Sequence, residues 1–320
     1  MAISDKIISL IDAHYKKDNE LFYTVSLQIA AQEAKAGHTI VANSIKDIAN
    51  QGRVNTNHRP IVQFMNSAMG DMIMRVNDRV TIDKIIVSDE NKGRIERVIL
   101  EYRERRRLQR HGLLNRNKIL LGGPSGTGKT MTASVIATET DLPLYLIRTD
   151  RVITKYMGAS SANLGQVFDI IDRNEGVYLF DEFDAIGSDR TRDNEVGEMR
   201  RILTSFLMFM ERTATESIIV AATNHTEMLD NALFRRFDDV IHFALPSAQQ
   251  IQQLLNLKLA DRLSATEYKT VADKFIGLSH AEICNICNDA IKETIMSDKN
   301  ISADMLINIQ KEKQQKYSIA

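Results

Sequence analysis

The chain has 320 residues, 43% of them apolar, and balances 41 Lys+Arg against 42 Asp+Glu. The length predicts a main domain with smaller satellites, and the even charge argues against a general nucleic-acid binder, which is usually basic. Two cysteines, Cys284 and Cys287, leave no disulfide framework; with no basic-then-apolar leader and no bilayer-length apolar run, the expectation is a soluble, cytoplasmic protein with no signal peptide and no membrane partner.

Residues 1–51 read as helical. LFYTVSLQIAAQEAKAG is the clearest stretch, with Leu21, Val25, Ile29 and Gln32 on one stripe and Gly37 as a stop. Residues 52–80 are mixed and contain NTNHRP, which reads as a linker. TIDKIIVS is short and apolar, and NKGRIERVILEYRERRRLQRHG reads as one charged helix. From residue 117 the pattern changes. NKILLGG, LPLYLIR, GVYLFDE, SIIVAAT and DDVIHFAL are five strand candidates separated by segments of helical length. That alternation predicts an α/β fold, a parallel sheet with crossover helices. Met199–Met210 is apolar on most sides and reads as a buried helix. Beyond Pro246 no strand is convincing, and 247–316 reads as a small helical domain. The expected boundaries are a helical N-terminal region at 1–75, a large α/β domain at 76–245 and a helical domain at 246–320.

GPSGTGKT, residues 123–130, lies between a strand and a helix and fits G-x-x-x-x-G-K-T in full. Gly123, Pro124, Ser125, Gly126, Thr127 and Gly128 form a loop whose backbone N–H groups can cradle phosphate, helped by the positive end of the helix. Lys129 then reaches the β- and γ-phosphates of ATP, and Thr130 offers a hydroxyl to Mg²⁺. The acidic pair that ends VYLFDE fits the same site. In a parallel sheet ligands gather at the strands' C-terminal ends. There Asp181 completes the Mg²⁺ shell beside Thr130, and Glu182 serves the attacking water as general base, a role worth about 10²–10⁴ in rate. Asp184 reads as a helix-start residue.

With these motifs in this order, residues from about 81 to 316 resemble the AAA+ ATPases, and within them the AAA subgroup. GPSGTGKT resembles Walker A and YLFDE resembles Walker B. The resemblance implies a large phosphate-loop domain with helices on both faces of its sheet, followed by a helical lid. It places Met131 beside the nucleotide. Asn224, after the fourth strand, matches the sensor-1 position that orients water. LDNALFRRFDD matches the arginine-finger segment, making Arg235 and Arg236 the candidates. The bland alternative is ion pairing with Asp238 and Asp239. Fingers act on a neighbouring subunit's site, so the resemblance implies a ring of copies of this chain, a hexamer in most relatives. KYMG, residues 155–158, falls at the first pore loop. Lys155, Tyr156, Met157 and Gly158 either grip a polypeptide substrate there, or Tyr156 packs into its own helix. SDRTRDNEVGE is a second pore loop or a solvated loop. GLSHAEICNICNDAIKE resembles the sensor-2 region with His280 in place of the usual glycine, so His280 either packs near the base or faces solvent. Ile85 and Ile86 match the segment lining the adenine pocket. The family's D-G pair after the buried helix is replaced by MERTATES.

CNIC has no second pair to complete a zinc site and reads as two small thiols sharing a helix face. The basic run EYRERRRLQRHG, interleaved with acids, reads as a solvated face. The whole is similar to stand-alone bacterial AAA ATPases, some encoded beside a subtilisin-like protease, and to the katanin/spastin core. Two functions compete: threading of a polypeptide through a pore, and an ATP-controlled switch that docks a partner such as a protease through residues 1–70. A nucleic-acid motor ranks behind both.

Overall fold

The computed structural model describes residues 3–15, 19–56, 71–153, 159–184, 196–213, 215–229, 231–297 and 300–318. Three helices, α1 (Ile3–Tyr15), α2 (Asn19–Lys35) and α3 (Thr39–Thr56), form the first of two units, residues 1–63. The central α2 packs against both others. Its buried face is Val25, Ser26 and Ala30, whereas Leu21 is exposed. The expected stripe is therefore rotated: Val25 is shared, and small residues provide the close approach. Lys6 ties α1 to α2 through Gln32 Oε1 at 2.9 Å. Gly37 follows α2 with φ +89°, a left-handed conformation that ends the helix.

The second unit, residues 64–320, is built on a six-stranded sheet. Its strands are β1 (Ile73–Val76), β2 (Lys118–Gly122), β3 (Leu144–Ile147), β4 (Val177–Phe180), β5 (Ile218–Thr223) and β6 (Asp239–His242). The spatial order is β1-β3-β4-β5-β2-β6, parallel except for β1, which runs antiparallel to β3 at the edge. All five predicted strands are present. The edge strand β1 lies in the stretch that reads as mixed, because IMRV is only four residues long, carries a charge and is fully buried at none of its positions. The interior strands β4 and β5 are buried at every position, as a sheet covered on both faces requires.

One face is covered by α4 (Asp89–Arg103) and α6 (Lys129–Thr140), whose Ile95, Val98, Ile99, Val135 and Ile136 pack with Ile119, Leu121, Leu179 and Val220. The other carries α8 (Ala159–Arg173) and α9 (Val196–Arg212) around a ring cluster of Phe168, Phe180 and Phe206. Helix α9 is not buried on most sides. Ile202, Phe206 and Met210 form a single buried stripe at i, i+4, i+8, while Met208 is 45% exposed. The charged segment is likewise not one helix. It stops at Arg103, and α5 (Arg105–Arg110) restarts it after Glu104. The break turns Arg105 over the Tyr102 ring, 4.2 Å from its centre, and onto Glu216 at 3.0 Å. Arg103 binds the Glu139 carbonyl and carboxylate at the end of α6. Arg103 and Arg105 thus tie this segment to the end of α6 and to the residues before β5, while Arg106, Arg107 and Arg110 stay exposed.

Four further helices follow β6: α11 (Ala248–Leu259), α12 (Ala265–Lys274), α13 (His280–Ser297) and α14 (Ala303–Ser318), counting the short α7 (Thr149–Val152) and α10 (Asn231–Phe234). They share their own core of Ile251, Leu255, Val271, Phe275, Ile283 and Leu306. Serine capping boxes start α11 and α12 at Ser247 and Ser264, each satisfying donors the first helical turn leaves free. Cys287 is fully buried in this core and Cys284 partly, as expected of a shared face.

Candidate nucleotide site

Strand β2 ends at Gly122, and the chain turns through residues 123–128 into α6. Gly123 has φ +142°, and a Cβ there would lie 2.1 Å from the Phe243 carbonyl oxygen. The Phe243 N–H, donating to Gly122 O at 2.7 Å, holds that strand end in place. Gly126 has φ +73°, and a Cβ would lie 2.8 Å from Ser279 Oγ. Only glycine fits either position. The buried Thr127 hydroxyl donates to Pro124 O at 2.7 Å and closes the turn, while Pro124 and Ser125 at the tip are exposed. Met131 is partly exposed on the first turn of α6.

Lys129 is buried, and its ammonium donates to Gly123 O at 2.7 Å, Pro124 O at 2.8 Å and Asn224 Oδ1 at 2.9 Å. All three of its protons are used. Burial lowers its pKa, against the opposing charges of Asp181 and Asp184. Beside it, Thr130 Oγ1 donates to Asp181 Oδ2 at 2.9 Å. The loop, Asn224 and Asp181 are therefore one connected group.

Sheet order explains the meeting. β5 lies between β2 and β4, with Gly122 level with Thr223 and Phe180 level with Ala221. Three strand ends thus converge, and the residues just past them face one space. The backbone bends sharply at Glu182, which has φ +51°, uncommon for a residue with a side chain. Its N–H donates to Asp181 Oδ1 at 2.9 Å, and the next N–H, of Phe183, donates to Ala222 O at 2.8 Å. Phe183 returns to the core against Phe206, 4.8 Å between ring centres. Glu182 is left exposed between two anchored neighbours.

Several functional contacts escaped the sequence. Asp184 is more than a helix start: it accepts from the buried Thr223 hydroxyl at 3.1 Å, and Thr223 Oγ1 in turn accepts from His225 N–H at 3.1 Å. Thr223 thereby fixes the turn that carries Asn224. Arg236 pairs with Glu211, a residue of the MERTATES segment, while Arg235 is exposed. Asp238 and Asp239 are engaged elsewhere, on the Asn117 and Lys118 N–H groups and on Arg94. The bland pairing of the arginines is thus replaced by a different one. No local signal in the sequence joins residues 211 and 236.

On the lid side, the Ala281 N–H donates to Gly126 O at 3.0 Å. Ser279 accepts from the Glu282 N–H at 3.3 Å, and Glu282 accepts from Ser279 N and Oγ, a capping box that opens α13. His280 sits between these contacts. Ile85 is buried in the sheet's core, and Ile86 packs against the lid's. Lys155, Tyr156, Met157 and Gly158, and residues 188–195 of the second loop, lie outside the described residues.

A glycine-rich loop on a helix N-terminus, acids at the end of a parallel strand and a helical lid define a phosphate-loop nucleotide-binding protein. Comparison narrows the class. The ATPase family associated with various cellular activities (AAA) matches residues 119–245. The uncharacterized AAA family ATPase y4kL of Sinorhizobium fredii is 32% identical over 289 residues, 89% of this chain and 87% of that protein. The chain belongs to the AAA ATPase family and is a nucleotide-binding ATPase. The ATP-dependent zinc metalloprotease FtsH of Mycoplasmopsis synoviae is 32% identical over 225 residues, 66% of this chain and 34% of that one. Vacuolar protein sorting-associated protein 4 of Dictyostelium discoideum is 34% identical over 184 residues, 55% of this chain and 41% of that one. The chain therefore spans well under half of either. Among the described residues no helix is long and apolar enough to cross a membrane.

Proposed function

We propose that this chain hydrolyses Mg·ATP at the ends of β2, β4 and β5 and uses the energy, as a ring of copies, to remodel a polypeptide. The observation that carries the chemistry is the contact of Thr130 Oγ1 with Asp181 Oδ2 at 2.9 Å beside Lys129. Two hard oxygens at that spacing suit neighbouring ligand positions around Mg²⁺, whose bonds to oxygen are about 2.1 Å. When bound, the ion neutralises charge that builds on the phosphate oxygens. Lys129 exchanges its loop carbonyls for the β- and γ-phosphates. Glu182, held outward by its left-handed backbone, takes the proton of the attacking water. Asn224 orients that water, and Met131, Ile85 and His280 bound the nucleoside end.

Arg235 is exposed, and Arg236 is held by Glu211; among the described residues neither bonds the site of its own chain. That supports a role as fingers on a neighbour's phosphates, worth about 10³–10⁵ in turnover. The names of the relatives, a metalloprotease and a protein-sorting factor, support a polypeptide as the substrate. In this reading KYMG grips the substrate, residues 246–320 act as the lid over the 76–245 domain, and the helices of 1–75 choose the target.

The test is ATP turnover against protein concentration, with and without an unfolded polypeptide, for wild type, Lys129→Ala, Glu182→Gln and Tyr156→Ala. Lys129→Ala is expected to lose ATP binding, and Glu182→Gln to bind but barely hydrolyse. Polypeptide should stimulate wild type and not Tyr156→Ala. Equal stimulation of both would reject threading in favour of a switch that docks a partner such as a protease.

A further inference from the structure

The two exposed arginines, Arg235 and Arg236, stand between two anchors. Leu233 and Phe237, four residues apart, are buried on either side of them. The Arg236 N–H donates to Leu233 O at 2.9 Å and closes the turn. The Phe237 ring meets Phe183 edge-on, 6.3 Å between centres. The segment therefore turns its apolar residues inward and its arginines outward.

Asp238 fixes this segment along the sheet. A single carboxylate oxygen, Oδ2, accepts from the Asn117 N–H and from the Lys118 N–H, each at 2.9 Å. The Asp238 N–H donates back to Lys118 O at 2.8 Å. Three bonds thus fasten it to the start of β2. Lys118 extends the fastening: its Nζ donates to Met210 O at 2.6 Å near the end of α9, and the next residue, Glu211, pairs with Arg236. The contacts close a circuit from Asp238 through Lys118 and residues 210–211 to Arg236. From Lys118 to Gly122 the strand runs about 13 Å, at 3.3 Å per residue, and the chain's own phosphate loop begins at its far end. Among the described residues, the bonds that Lys129, Thr130 and Asn224 make in that site include no member of the circuit. Asp238 is itself exposed, so water can replace the bonds it accepts and the fold leans on them little.

We propose that Asp238 is a positioning residue for hydrolysis in the neighbouring subunit, its clamp on the start of β2 fixing where Arg235 and Arg236 leave the surface. It touches no nucleotide and acts through the arginines. The inference rests on the reading of those arginines as fingers and adds what holds them in place. A displacement of about 1 Å in a reacting constellation can cost about 10²-fold in rate, so a finger on a loosened segment is nearly a finger lost. The clamp needs an oxygen that accepts two N–H groups and does not need a charge. An asparagine amide supplies that oxygen and an alanine methyl does not.

The experiment measures ATP turnover of the full chain, ATP affinity without divalent cations, and thermal melting. The proteins are wild type, Asp238→Ala, Asp238→Asn, Arg235→Ala and Glu182→Gln, alone and as equal mixtures with Glu182→Gln. Asp238→Ala should bind ATP within about twofold of wild type and turn over about tenfold to a hundredfold more slowly. Asp238→Asn should keep most of the turnover. In a mixture, Asp238→Ala supplies an intact base and Glu182→Gln an intact finger. Random assembly pairs the two at about a quarter of the interfaces, so up to about a quarter of wild-type turnover should return. Arg235→Ala mixed in the same way should recover likewise. Damage confined to a subunit's own site or fold would not be repaired by a neighbour. Asp238 is overturned as a positioning residue if its alanine variant keeps wild-type turnover, loses ATP binding or its fold, or recovers nothing in a mixture where Arg235→Ala recovers. An asparagine variant as slow as the alanine one also overturns it, because the clamp would then not depend on the accepted bonds. If the Arg235→Ala mixture recovers nothing, the finger reading itself falls and takes this inference with it.

Discussion

Glu182 is the residue on which the structure makes its sharpest demand. Its φ of +51° places a side-chain-bearing residue in the left-handed region, at a cost of about 1–2 kcal/mol. The conformation is enforced from both sides: Asp181 Oδ1 holds the Glu182 N–H at 2.9 Å, and Phe183 is anchored through Ala222 O at 2.8 Å. Replacing Glu182 by glycine should release the strain while adding freedom to the unfolded chain worth about 0.4–1 kcal/mol. The exposed carboxylate contributes little packing. The net expectation is a stabilisation of about 0.5–1 kcal/mol, or roughly 1–4 °C in melting temperature for a unit of this size. Alanine keeps the strain, so Glu182→Ala should melt near wild type. Both variants should lose ATP hydrolysis, because both remove the carboxylate that the proposed mechanism uses as base. The assay is thermal unfolding by circular dichroism at one protein concentration without nucleotide, beside ATP turnover. A glycine variant no more stable than the alanine variant would refute the claim that the site stores backbone strain.

Gly123→Ala should fail differently. Its Cβ would fall 2.1 Å from the Phe243 carbonyl, so the loop must move, costing about 3 kcal/mol or more and abolishing ATP binding; denaturant unfolding and nucleotide titration check the two parts. Thr223→Val keeps the shape but leaves Asp184 and the His225 N–H without their partner. It should cost about 1–2 kcal/mol and slow hydrolysis more than it weakens ATP binding, which separate measurements of turnover and affinity would resolve. Burial pushes the Cys287 thiol up to about 12. At pH 8 it should be protonated and unreactive toward a disulfide reagent in the folded protein, then react at once in denaturant; fast labelling of folded protein would contradict its place in the core.

What the sequence determined by itself was local. GPSGTGKT specifies a phosphate loop because its glycines, lysine and threonine act within eight consecutive residues, and backbone geometry there needs no distant partner. The five strands were legible because β2 to β6 are apolar runs bounded by turns. The edge strand β1 was not, since IMRV is short, carries a charge and is fully buried at none of its positions. Helix α9 departs from its expected burial for a related reason: apolar residues around a helix reveal potential for burial, and the sheet decides which stripe is used. The same holds for α2, where Val25, Ser26 and Ala30 rather than Leu21 face inward.

Tertiary structure alone decided the long-range pairings. Lys129 meets Asn224 across 95 residues because β5 is inserted beside β2. Thr223 reaches Asp184, and Glu211 reaches Arg236, by the same closing of the sheet and its helices. The left-handed backbone at Glu182 arises from anchoring on either side, and the bare nitrogens of His280 arise from a lid folded back onto Gly126. A sequence specifies which groups are available. Which of them meet depends on strand order and crossover, and these are fixed by burial of the whole sheet at once.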